Sequence, residues 1–150
     1  MKRTTMLLGF LLTLGACQKT VPAPSGPAAA DFARDFVLAY QQTAHLPGLE
    51  RPSVRILVDD VEDSRCPQGK ACFNAGVAGA HVRVVGSESG DQRVHVQLRG
   101  FGGSPGVTDS ASVFANGARY VLHLRGIDPG PTTQPAKKEE QRVTLRLSPR

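Results

Sequence analysis

Seven side chains of this sequence fall where they could bind charge: His81 and Arg83, Arg93 and His95, then Arg119, His123 and Arg125. Each sits opposite the apolar positions of an alternating segment, so each is expected on an outward face. Guanidinium forks and imidazoles grouped there suit phosphate or carboxylate ligands through charge-assisted hydrogen bonds. A plain solvated surface written in arginine accounts for the same pattern. His81 and His95 would also approach each other across a Val85 to Arg93 hairpin, and two imidazoles are the beginning of a copper or zinc site. The sequence offers no evident third ligand beside them, so no metal is assigned.

Two other constellations carry less. Gly102-Gly103-Ser104-Pro105-Gly106 spells G-x-S-x-G, the nucleophile elbow of α/β-hydrolases. That elbow needs a strand entering a helix, and it uses the backbone N–H of the residue after the serine in its oxyanion hole. Pro105 has no N–H and no helical pattern flanks it, so a glycine-rich loop is expected instead. Asp59, Asp60, Glu62 and Asp63 could offer oxygens to calcium, but their spacing fits no EF-hand loop and alternation would send neighbours to opposite faces. They are expected as a solvated strand end, with Asp63 capping a turn or pairing with Arg65.

Cys17 follows Lys2-Arg3, an apolar run from Met6 to Leu14, and Leu14-Gly15-Ala16. A basic start, a short apolar stretch and small residues make a secretory signal too short to span a bilayer. Leu14-Gly15-Ala16-Cys17 resembles the lipobox of bacterial lipoproteins, which implies a diacylglyceryl group on the Cys17 thiol and removal of residues 1–16. Gln18, rather than Asp, after the cysteine is compatible with outer-membrane sorting. Residues 17–30 (CQKTVPAPSGPAAA) are poor in large apolar groups and read as a tether, reaching about 40 Å in polyproline form. Residues 31–150 are enough for a single core.

The chain carries 18 basic and 13 acidic side chains, and loss of Lys2 and Arg3 leaves a formal +3. So small an excess bounds solubility rather than function. An exported, tethered domain seldom meets nucleic acid, and anionic envelope polymers or lipid headgroups are the nearer polyanions. Cys66 and Cys72 remain after Cys17 is assigned to lipid. An even pair in an oxidising compartment is expected to form a disulfide, since CPQGKAC lacks the four-ligand spacing of structural zinc.

These groups must be held by strands. Val54, Ile56 and Val58 alternate with polar residues, as do Ala80, Val82 and Val84, then Val94, Val96 and Leu98, then Tyr120, Leu122 and Leu124, then Val143, Leu145 and Leu147. Asn116-Gly117 marks a hairpin between Ala111–Ala115 and Arg119–Arg125. Phe36 to Leu46 is ambiguous: Phe32, Phe36 and Tyr40 recur at helical spacing, whereas Phe36, Leu38 and Tyr40 alternate before Pro47-Gly48, and a strand is favoured. Pro129 to Glu140 is expected as a solvated loop.

Glu62-Asp63-Ser64-Arg65-Cys66-Pro67, followed by Cys72-Phe73-Asn74-Ala75-Gly76, resembles a family of small, largely uncharacterised bacterial exported or lipid-anchored β-domains. The resemblance, extending loosely over Phe36 to Leu147, implies a β-domain and the same disulfide, but no activity. Asn74 stands where that family often carries Trp, and this chain has no Trp at all.

The expectation is an all-β domain, an antiparallel β-sandwich or partly open barrel of six to seven strands with one disulfide. It would be lipid-anchored in the cell envelope and act as a binding or structural module rather than an enzyme. No cofactor is implied, and the partner is the membrane with an anionic glycan or lipid headgroup. A periplasmic copper or zinc binder is the alternative, and a hydrolase is a more distant one.

Overall fold

The computed structural model describes residues 26–51, 53–88, 90–99, 110–132 and 136–150. Among them are nine strands: β1 Ala28–Ala29, β2 Asp35–Ala39, β3 Thr43–Leu46, β4 Val54–Asp63, β5 Val77–Gly86, β6 Asp91–Arg99, β7 Ser110–Ala115, β8 Ala118–Asp128 and β9 Arg142–Pro149. A five-stranded sheet runs β1-β3-β4-β5-β6, and a four-stranded sheet runs β2-β9-β8-β7. All neighbours are antiparallel except β1 and β3. The sheets pack face to face as a sandwich and do not close into a barrel.

Alternation decides which side chains lie between the sheets. Ile56, Val58, Val82 and Val84 from one sheet meet Leu38, Leu122, Leu124, Leu145 and Leu147 from the other, all fully or almost fully buried. Each such aliphatic side chain contributes roughly 1.5–3 kcal/mol by leaving water. The β7–β8 hairpin turns at Asn116 (φ 51°) and Gly117 (φ 74°), the doubly left-handed turn that matches strand twist. Asn116 also donates to the Ser53 carbonyl (2.6 Å) and accepts from Glu88 N–H (3.0 Å), tying this hairpin tip to the opposite sheet.

Phe36 to Leu46 is two strands, not one, and they lie in different sheets. The chain crosses at Gln41, whose φ is 57°, and the corner is closed by Gln42 N–H to the Ala39 carbonyl (3.0 Å) and by Ala39 N–H to Gln42 Oε1 (3.0 Å). This division, together with the two-residue β1, raises the count from the expected six or seven to nine. Ala28 and Ala29, in the stretch read as tether, pair with Ala44 and His45. Phe32 stacks on Tyr120, ring centroids 5.4 Å apart.

The β4–β5 ladder continues past its ends through Ser64 N–H to the Val77 carbonyl (2.8 Å) and Cys66 N–H to the Ala75 carbonyl (3.0 Å). Cys66 and Cys72 are disulfide-bonded across the loop, Cα atoms 5.9 Å apart. Closing so short a loop contributes about 2 kcal/mol in the chain-entropy picture. Gly76 has φ 69°, and a Cβ there would overlap the Ser64 carbonyl, so the glycine of the cysteine motif is dictated by backbone approach.

Candidate metal centre

His81 of β5 and His95 of β6 are directly opposite in register. Their rings stack with centroids 4.3 Å apart and planes 3° from parallel. Beside them comes a carboxylate that alternation alone would send to the core. Counting from Val54, Ile56 and Val58, residue 62 has inward parity. A bulge between Val58 and Asp60 resets the register, so Val61 turns inward opposite Ala80 while Asp60 faces out opposite His81 and Glu62 opposite Gly79. Glu62 Oε1 lies 3.1 Å from His81 Nε2. One ligand atom from each of Glu62, His81 and His95 falls within 4.8 Å of the others.

Gly79 makes room for this arrangement. A Cβ there would stand 2.7 Å from His95 Nε2 and 3.3 Å from the Val96 carbonyl oxygen, so the His95 ring lies over bare backbone. A glycine inside a strand marks such a close approach. Gly79→Ala is expected to push His95 aside and part the stack. The mutual ring-current shifts of the two imidazoles would then be lost from the proton NMR spectrum while the far-ultraviolet strand signal is retained; unchanged imidazole shifts would count against this packing.

The remaining charges are largely paired. Arg83 holds Asp59 (Nε to Oδ2, 3.0 Å) and reaches Asp91 at 3.6 Å. Lys138, in the stretch expected to be solvated, donates to Asp60 Oδ1 at 2.6 Å. That hydrogen bond, assisted by the Val61 N–H and opposed by partial burial, holds the Asp60 carboxyl below its usual range. Asp63 faces away from the histidines, forked by Arg65. The four clustered carboxylates thus go to four different cations or rings and do not converge as a calcium site would require.

The seven residues expected to form one anion-binding face are divided. His81, Arg83, Arg93 and His95 share the outer face of the five-stranded sheet; Arg119, His123 and Arg125 lie on β8 in the other sheet, whose outer face points the opposite way. Arg125 and Arg146 both approach Asp35, at 4.0 and 2.6 Å. Cys17 and the Gly102–Gly106 motif lie outside the described residues.

Two stacked imidazoles and a carboxylate are a donor set for a borderline divalent ion. Four-coordinate zinc with bonds near 2.0–2.1 Å needs its donor atoms about 3.4 Å apart, and each lone pair lies in its ring plane. Parallel planes cannot both contain one ion. Loading therefore requires the rings to tilt and the wider donor pairs to close from within 4.8 Å toward that spacing, while Glu62 Oε1 and His81 Nε2 already lie 3.1 Å apart. Glu62 is the third donor, and only the bulge in β4 turns it to this face. Compared with known proteins, the chain matches no family model, no curated protein and no solved structure, so the geometry itself carries the functional argument.

Proposed function

We propose that this chain is an exported domain, lipid-anchored to the cell envelope through Cys17, that binds a divalent transition-metal ion on the outer face of its five-stranded sheet. Glu62, His81 and His95 are the ligands, and zinc and copper(II) are the ions whose preference for imidazole suits them. The observation that carries the reading is the approach of three donors within 4.8 Å of one another, reached by a bulge in β4 and permitted by Gly79. Both features favour the site over an incidental polar surface, since bulges re-aim side chains beside functional sites. The paired state of Arg83 and the division of the arginines between two faces argue against a broad polyanion surface. Glu62 and His95 are exposed and His81 is half-buried, which suits exchange of the ion rather than a permanent structural role.

Native mass spectrometry of the tag-free chain, extracted from membranes and incubated with zinc or copper(II), tests both halves of this reading. The expected species lacks residues 1–16, carries acyl groups at Cys17 and holds one ion. An unmodified N-terminus would overturn the anchoring, and no retained ion would overturn the metal binding.

A further inference from the structure

Three protein ligands leave a four-coordinate ion with one open position, as in zinc sites that receive a further ligand. Arg93 stands two residues from His95 on the same face of β6, about 7 Å along the strand. Its cross-strand neighbour Arg83 is engaged by Asp59 and Asp91, whereas the Arg93 side chain has no hydrogen-bond or ion-pair partner among the described residues. Arg93 and both histidines line one concavity, together with Asp59, Asp60, Val82 and Val94.

Charge makes the concavity's preference conditional. Asp59, Asp60, Glu62 and Asp91 stand against Arg83, Arg93 and Lys138, leaving one negative charge in excess. A bound divalent ion turns this into one positive charge in excess, beside an arginine that has no partner among the described residues. We infer that the metal-loaded site takes a second ligand, an oxyanion of the carboxylate or phosphoryl type, with one oxygen on the ion and another accepting from Arg93. This inference rests on the metal-binding reading. Forked recognition of such groups is what arginine does best, and the ion supplies attraction that the metal-free site lacks. By linkage, the oxyanion must raise affinity for the ion by the same factor that the ion raises affinity for it.

The test uses methylphosphonate and acetate as separate probes with the membrane-extracted chain. Copper(II) is paramagnetic, so a probe coordinated to it shows a broadened phosphorus or methyl-proton resonance. Broadening is expected for the copper-loaded protein, and equilibrium dialysis, which needs no paramagnet, is expected to show no probe retained by the metal-free protein. Arg93→Ala should bind the probe about tenfold more weakly at equal copper occupancy, the loss expected for one charge-assisted contact. The preferred oxyanion is the probe with the lower dissociation constant, read from the concentration dependence of its own broadening. Equal probe affinity in wild type and Arg93→Ala, or equal binding with and without copper, would overturn the inference while leaving metal binding intact. Failure of the wild-type chain to retain copper would overturn both.

Discussion

Replacing Asp63 by alanine is expected to destabilise the domain by about 3 kcal/mol, the largest single effect at any charged position among the described residues. Arg65 and Asp63 have side-chain exposures of only 11% and 16%. Arg65 Nε donates to Oδ1 at 2.9 Å and its terminal amine to Oδ2 at 2.6 Å, while Oδ1 also accepts the Arg65 backbone N–H at 3.0 Å. The same guanidinium donates to the carbonyls of Ile127 (3.1 Å) and Pro129 (3.2 Å). It therefore clamps the start of the disulfide loop to the end of β8 and its following turn. Losing the carboxylate strands a mostly buried cation, and breaking a buried pair on one side costs roughly 3–5 kcal/mol, with residual solvent contact placing this one at the lower end. Asp63→Ala combined with Arg65→Met should cost less than Asp63→Ala alone, because no charge is left unpaired. Urea unfolding of the three proteins checks this; a loss below about 1 kcal/mol for Asp63→Ala would show that the pair behaves as a screened surface bridge.

His81→Ala and His95→Ala are each expected to weaken metal binding on the order of a hundredfold or more, since even partners outside the ligand shell account for roughly 10–100-fold. Glu62→Gln keeps the shape but removes the charge and should lower affinity about tenfold or more on the same scale. None of the three should change stability greatly, because their side chains face solvent and bury little apolar surface. Binding should also weaken in acid, where protons compete with the ion for imidazole nitrogen. Competition with a chromogenic chelator gives each affinity. A Glu62→Gln affinity equal to that of wild type would remove Glu62 from the ligand set.

What the residues disclosed in advance followed from period and count. The inward runs at Val54, Val82, Leu122 and Leu145, the Asn116-Gly117 hairpin, and the disulfide between Cys66 and Cys72 are all as expected. The corner at Gln41 was not legible: Phe36, Leu38, Ala44 and Leu46 keep even parity straight through it, and no glycine, proline or asparagine marks the left-handed residue. Glu62 was hidden for a related reason. Alternation extrapolates without interruption, so a bulge, which inserts one residue and reverses the faces beyond it, is invisible to a period-two pattern until β4 and β5 are seen paired. The histidine pair is legible because a hairpin brings its two strands together, whereas alternation assigns the arginines an outward face without saying which sheet it belongs to.

If both imidazoles and Glu62 hold one ion, electron paramagnetic resonance of the one-to-one copper(II) complex will read the two nitrogens. The wild-type spectrum should carry superhyperfine coupling from two equivalent or near-equivalent nitrogens, and His81→Ala or His95→Ala should reduce this to one. A spectrum unchanged in the His81→Ala/His95→Ala double variant, or one showing no imidazole nitrogen in the wild-type protein, would contradict the site.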